Sequence, residues 1–445
     1  MTLIQLFQFI LSISILVILH ELGHFIPAKL FKTKVEKFYL FFDPWFSLVK
    51  KKIGDTEYGI GWLPFGGYVK IAGMVDESMD TEQLKKPAEP WEFRSKPAWQ
   101  RLIIMLGGVT VNFFLAWLIY SCLSYFKGET FHDNAKFENG IAVSDAGKKM
   151  GLETGDKILK IDGKHAERME TSTVNMLFAD EVTVERNGKE VTFPVNEQGV
   201  ADVLKQNEAK AYFSPRFPVV IDSLLPNGAA KASGLLKGDK IVAVNGKPVK
   251  YFDELGTELA KYKNTNVKLD VERNSALQQI DIKVDPQGKL GFSTDINVAQ
   301  AELEKAKITK KYSFLEAIPR GFTRTIDVLT MQIKQFKIVF NTTTEGYKKV
   351  SGPIGIIKQM PETINWEFFW SFTAMFSVWL AFLNLIPIPG LDGGHVVFTL
   401  WEMITGKPVP QKVLENAQMI GVIFLLGLMV LIFGNDIVKW ITGKF

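Results

Sequence analysis

His20-Glu21-Leu22-Gly23-His24 places two imidazoles four residues apart, with a carboxylate between them. On a helix, residues i and i+4 project from one face. His20 and His24 could therefore grip one Zn²⁺, while Glu21 reaches a water at the metal as general base. The setting gives the motif weight. Residues 1–20 carry no charged side chain, and Leu3 to Leu19 is almost continuously apolar. The motif thus falls near the end of a membrane-spanning helix. Each ionisable group at that depth costs roughly 3 kcal/mol on insertion scales, which argues for a function over a chance match.

Two histidines need a third protein ligand, leaving a fourth position for water. The best candidate is Asp392, in Asn384-Leu-Ile-Pro-Ile-Pro-Gly-Leu-Asp-Gly-Gly-His395, and His395 is the second choice. His395 could instead orient a ligand from behind. The two prolines and three glycines break an apolar helix at a depth where broken backbone survives only against protein or a water-filled cavity. Asn112 and Asn384 are polar side chains inside apolar runs. Each could hydrogen-bond a substrate backbone or tie helices together.

Four charge-free runs must position these residues: 1–20, Leu102–Phe126, Phe368–Leu391 and Asn416–Asn435. The first has no basic leader or small-residue cleavage site and reads as an uncleaved span. Thirteen Lys and Arg lie from Lys29 to Arg101, including Lys50-Lys51-Lys52. The first loop is therefore cytoplasmic and the N-terminus lies outside. Spans one and three both run inward, which brings His20, His24 and Asp392 to a similar depth at their inner ends.

The long segment from Lys127 to about Trp366 then lies outside. Within it, residues 150–164 (MGLETGDKILKIDGK) repeat at 233–247 (SGLLKGDKIVAVNGK), an offset of 83 residues. Each copy reads as a helix end, a Gly turn, a strand and a tight Asp-Gly or Asn-Gly hairpin. The pattern resembles PDZ domains of the permuted bacterial kind, which either bind extended peptides by strand addition or act as spacers. Around Phe314–Phe340, apolar residues recur every three or four positions, interrupted by Arg320, Arg324, Lys334 and Lys337. This predicts one or two amphipathic helices, at the outer membrane surface or against a soluble domain.

Between the first two spans, Phe46–Lys52, Glu57–Leu63 and Tyr68–Ile71 read as strands, with Pro64-Phe65-Gly66-Gly67 as a break. If this sheet dips toward the metal, its free edge could pair with an extended substrate. Otherwise it is a plain hairpin.

Composition bounds the alternatives. The chain has 445 residues, 47% hydrophobic, with a mean hydropathy of +0.08 that averages very apolar and ordinary polar stretches. A net charge of +4 gives no nucleic-acid footprint, and a pI near 8.7 fits a membrane protein with basic cytoplasmic edges. Cys122 is the single cysteine, which excludes an intramolecular disulfide and a Cys-based zinc cluster. His132 and His165 read as surface residues.

The expected organisation is 1–32, the first span with the metal motif; 33–100, a cytoplasmic or re-entrant β region; and 101–126, the second span. Residues 127–215 and 216–300 form PDZ-like domains, and 301–365 amphipathic helices. Then come the third span (366–395), a cytoplasmic loop (396–415) and the fourth span (416–438).

The HELGH motif, a broken-helix LDGGH, four spans and tandem PDZ-like repeats together resemble the site-2 proteases. Within them, the match is to the bacterial regulator-of-sigma-E type, and it covers essentially the whole chain. The resemblance implies a mixed membrane fold: four transmembrane α-helices and a re-entrant β-sheet, plus two periplasmic PDZ domains. It implies His20, His24 and Asp392 as zinc ligands, with Glu21 as catalytic glutamate. Asn384 matches a substrate-associated asparagine. Gly66-Gly67-Tyr68 matches the GGY of a re-entrant β-loop that engages substrate. Gly107–Phe113 resembles a GPxxNF element containing Asn112, although Gly108 stands where proline is usual. Ser351–Gly355 resembles an SGPI element.

The activity implied is zinc-dependent cleavage of single-span membrane proteins in the bacterial inner membrane. Anti-sigma factors and signal-peptide remnants are the implied substrates, with the PDZ pair as a size filter and both termini periplasmic. A non-catalytic PDZ adaptor in the bilayer is the alternative. A zinc transporter would need ligands strung across the membrane, whereas these cluster at one depth.

Overall fold

The computed structural model describes residues 2–74, 87–205 and 211–442. Parts of the expected 33–100 and 127–215 regions, residues 75–86 and 206–210, lie outside them. The chain divides into two compact units. The first comprises Met1–Gly128, Lys311–Phe336 and Lys348–Phe445; the second comprises Glu129–Lys310 and Lys337–Tyr347.

Helix α1 (Leu3–Leu30) opens with a capping box. The Thr2 hydroxyl accepts the Gln5 N–H at 3.3 Å, while the Gln5 side chain accepts the Thr2 N–H at 2.8 Å. The helix continues well past the charge-free run, so both histidines are helical. Strands β1 (Val35–Ile53) and β2 (Thr56–Ile71) follow, turning at Gly54 with φ 60°. Residues 35–40 face 67–71 on one side and 57–60 on the other, while 47–53 face 56–61. Two long strands thus build a sheet four stretches wide. Among the described residues, 67–71 form one edge with no further strand beside them.

The expected break at Pro64–Gly67 is instead carried within β2. Among the described residues Pro64 has no pairing partner, which suits a residue that has no N–H to offer. The stretch 35–42 was not legible as strand. The sheet lies along α1. Lys29 Nζ donates to Thr56 Oγ1 at 2.9 Å, and a Cβ on Gly67 would sit 2.6 Å from Val17 Cγ1.

Helix α2 (Ala98–Lys127) crosses α1 with backbones touching: a Cβ on Gly107 would lie 1.9 Å from the Gly23 carbonyl oxygen.

The second unit begins with β3 (Glu129–His132) and contains two repeated lobes. The first lobe comprises β4 (Ile141–Val143), α3 (Asp145–Met150), β5 (Lys157–Ile161) and β6 (Lys164–His165). It continues through α4 (Met169–Asn175), β7 (Glu181–Arg186), β8 (Lys189–Pro194), α5 (Glu197–Lys205) and β9 (Phe213–Pro215). The second lobe comprises β10 (Ile221–Leu224), α6 (Ala229–Ala232), β11 (Lys240–Val244), β12 (Lys247–Pro248) and α7 (Phe252–Leu259). Strands β13 (Asn266–Arg273), β14 (Ala276–Lys283) and β15 (Phe292–Thr294) complete it.

The lobes share one topology: β6-β5-β7-β8 and β12-β11-β13-β14, each with a separate pair, β4-β9 and β10-β15. Both repeat turns adopt positive φ at Asp162-Gly163 and Asn245-Gly246, as the dipeptides predict. One buried carboxylate recurs as well. Asp156 accepts the Glu153 N–H and the Nε and Nη2 groups of Arg186, and Asp239 accepts the Leu236 N–H and the Nε and Nη2 groups of Arg273. Helix α8 (Ile296–Ala306) leads to β16 (Lys307–Lys310), which pairs with β3.

Helix α9 (Phe314–Val339) is the amphipathic segment. Its first-unit part packs on α2, where Trp117 Nε1 donates to the Ile318 carbonyl at 2.8 Å and Gly321 meets Ser121. Val328 and Leu329 pack on Ala116, Tyr120, Ala374 and Val378. Its last turn belongs to the second unit, where Ile338 joins the first-lobe core.

Helix α10 (Pro353–Gln359) precedes α11 (Trp366–Leu385), α12 (Asp392–Thr405) and α13 (Gln411–Ile441). The expected loop at 396–415 is therefore helical as far as Thr405 and again from Gln411. The SGPI-like segment is held by a carboxylate inside α13. Asp436, fully buried, accepts the N–H groups of Gly352, Ile354 and Gly355 at 2.9–3.2 Å. Among the described residues, α1, α2, α11 and α13 are long and apolar enough to cross a membrane.

Candidate metal centre

One turn of α1 separates His20 from His24, and their Nε2 atoms lie 3.2 Å apart. His24 Nδ1 is 2.8 Å from the Ile104 carbonyl oxygen on α2. A carbonyl only accepts, so Nδ1 carries a proton, which in the neutral ring leaves the Nε2 lone pair for a metal. The chain breaks between α11 and α12, and Asp392 is the first residue of the new helix. Its Oδ2 lies 3.3 Å from His20 Nε2 and 3.2 Å from His24 Nε2. Buried, that oxygen receives no hydrogen bond among the described residues.

The three atoms form a nearly equilateral triangle. Tetrahedral zinc with bonds of ~2.0–2.1 Å spaces its ligand atoms ~3.3 Å apart. The triangle has the size of one face of such a tetrahedron, and its two imidazoles and one carboxylate are an ordinary zinc donor set. Among the described residues, the group of three acids and histidines close enough to hold an ion is His20, His24 and Asp392. His395 lines the same cavity but stands outside that group.

The cavity has a volume of about 570 Å³ and also takes in Glu21, Tyr68 and Asn384. Val69, on the edge of the sheet, lines the cavity together with Glu21. Gly67 and Tyr68 line the cavity, whereas Gly66 does not. Gly66 sits at φ 147° beneath the Phe42 ring.

Both asparagines reach the first histidine. Asn112 Nδ2 is 3.2 Å from His20 Nδ1, and Asn384 Nδ2 is 3.2 Å from His20 Nε2. Gly108 faces the same rings: a Cβ there would lie 2.4 Å from His24 Nε2 and 2.5 Å from His20 Cε1. Helix α2 runs unbroken through this position. The glycine thus leaves the space that the two imidazoles fill.

Sequence reasoning missed part of the lining: Lys37, Asp43, Met105 and Gln418. Gln418, a polar side chain in an apolar run, carried a signal of the same kind as Asn112. Gly23 with Gly107-Gly108 carried the signal of a close helix crossing. Asp43 and Lys37 carried none, because only the folded sheet brings them there.

The family described as Peptidase family M50 matches residues 8–428. Curated relatives align over nearly full length. A Haemophilus influenzae protein named regulator of sigma E protease is 29% identical, covering 97% of this chain and 98% of its own. The Escherichia coli regulator of sigma-E protease is 28% identical over the same shares. A Neisseria meningitidis protein named as a candidate zinc metalloprotease is 27% identical over 98% of this chain and 99% of its own.

Proposed function

The chain belongs to peptidase family M50, and from that premise we propose that it cuts single-span membrane proteins within their transmembrane segments, with zinc held by His20, His24 and Asp392. The enzyme is a zinc metalloprotease. The observation that carries the site assignment is the triangle of 3.2, 3.2 and 3.3 Å beside Glu21. Bound zinc supplies Lewis acidity, polarising the scissile carbonyl and acidifying water.

The remaining work falls to the chain. Glu21 takes the proton from the attacking water and delivers it to the leaving amide nitrogen. The Ile104 carbonyl fixes the tautomer of His24. Asn112, beside His20 Nδ1, steadies that ring or binds the substrate backbone, and Asn384, beside the ligating Nε2, binds the substrate backbone. A transmembrane helix hides its carbonyls in internal hydrogen bonds, so the substrate must unwind. The unpaired edge Gly67–Ile71 can hold the unwound stretch by strand addition, next to Glu21.

The lobes at 127–215 and 216–300 are PDZ domains in this reading, placed outside an inner membrane as a filter against bulky outer domains. Both termini lie outside as well. Relatives named as regulators of sigma E point to an anti-sigma factor as substrate. The test is cleavage in proteoliposomes of single-span substrates with short and long outer domains. Wild type should cut the short form, and Glu21→Gln should cut neither. Cleavage by Glu21→Gln would remove Glu21 from the mechanism.

A further inference from the structure

Asp43 lies in the turn of β1 that walls the cavity together with Phe42 and Pro44. Its Oδ1 accepts the Tyr68 hydroxyl at 2.8 Å, and its Oδ2 accepts the Ser47 hydroxyl at 2.9 Å. The Tyr68 ring stacks on Tyr39 at 5.3 Å and on Phe42 at 6.1 Å. Tyr39 is fully buried, hydrogen-bonded to Glu57 at 2.7 Å, and fills the space a Cβ on Gly59 would need.

The turn is costly to hold. Phe41 and Trp45 adopt φ of 66° and 73°, a left-handed conformation that bulky residues avoid. Asp43 sits between them, and Trp62 Nε1 ties the turn at the Pro44 carbonyl, 2.9 Å away. Such strain persists only where the surroundings enforce it, and it gathers at functional sites.

Tyr68 and the next residue, Val69, line the cavity that also holds Glu21. Anchoring the Tyr68 hydroxyl therefore fixes the edge strand where it borders the cavity. We propose that Asp43 is a positioning residue: through Tyr68 it holds the edge Gly67–Ile71 in the register that receives an extended substrate. The role rests on the strand-addition reading above. Asp43 touches neither the metal triangle nor Glu21, so it acts on substrate binding and not on the proton transfer. A hydrogen bond to a carboxylate in such a setting is about twice as strong as a neutral one.

The experiment compares Asp43→Ala, Asp43→Asn, Tyr68→Phe and the double variant Asp43→Ala/Tyr68→Phe in full-length enzyme, with zinc content measured throughout. Asp43→Ala and Tyr68→Phe should each raise KM about tenfold, with kcat within about twofold and zinc unchanged, as expected for a lost binding contact. The double variant should be no worse than either single one, because both remove the same link. Asp43→Asn, whose amide oxygen still accepts the Tyr68 hydroxyl, should recover most of the KM. In a Glu21→Gln background, photocrosslinking of substrate to position 70 should fall with Asp43→Ala, which reads binding without turnover. Unchanged KM, additive effects or lost zinc would each overturn the proposal. Should Asp43→Ala fail to fold, Tyr68→Phe, which removes one oxygen atom, still decides. Cleavage by Glu21→Gln would instead count against the site reading and leave the Asp43 link to be judged on KM and crosslinking alone.

Discussion

His24 Nε2 and Asp392 Oδ2 stand 3.2 Å apart, although one belongs to the first helix of the chain and the other to the helix before the last. Nothing local brings them together. α2 does, by touching α1 through Gly23 and Gly107 and by accepting the His24 Nδ1–H hydrogen bond on the Ile104 carbonyl. The break before Asp392 then turns α12 so that its first carboxylate points at both rings.

This dependence makes Gly108 a sensitive position. Alanine there would place a methyl group 2.4 Å from His24 Nε2, so the rings or the helix must move. Gly108→Ala should lower zinc affinity at least tenfold, about 1.4 kcal/mol or more, through overpacking. Gly427→Ala, with open space around its Cβ, should leave affinity unchanged. Competition with a chelator of known affinity measures both.

What the sequence disclosed follows from how far apart the informative residues lie. HELGH and LDGGH are local, so spacing on a helix and the break in an apolar run were enough to nominate His20, His24 and Asp392. The lobe repeat was legible for the same reason, since Asp162-Gly163 and Asn245-Gly246 determine their own turns. The sheet was not. Its first stretch, 35–42, pairs on two sides with segments that come later in the chain, and Asp43 meets Tyr68 only after that pairing. The surface or soluble-domain setting expected for α9 likewise could not anticipate Trp117 and Ser121 against Ile318 and Gly321. An amphipathic period tells which face is apolar, not what covers it.

Asp436 provides a stability test away from the metal. Three backbone N–H groups point at its fully buried carboxylate and would lose their acceptor with it. Asp436→Ala should destabilise the first unit by about 2–3 kcal/mol while zinc content stays at one per chain. Thermal unfolding in detergent, followed by tryptophan fluorescence, would register the change.

The second lobe should lose stability in acid through Asp239. Burial pushes its carboxyl up, but Arg273 and the Leu236 N–H outweigh burial and hold it below the usual carboxylate range. A carboxylate with a lowered folded value contributes stability above its unfolded value, about pH 4, and loses it as pH falls through the folded value. Asp239→Asn should therefore cost about 2–3 kcal/mol at pH 7. The gap to wild type should close progressively below pH 4. The urea midpoint reported by a fluorophore at Leu277→Cys, in a Cys122→Ser background, would follow it. A gap independent of pH would show that the charge is not what stabilises the lobe.

The central claim is that two imidazoles of α1 and the carboxylate of α12 hold one zinc. X-ray absorption of the purified enzyme, with metal analysis, tests it most directly. Wild type should hold one zinc per chain with nitrogen and oxygen ligands at ~2.0–2.1 Å, and Asp392→Ala should lose most of the metal. Full zinc occupancy in Asp392→Ala with an unchanged absorption spectrum would contradict the account.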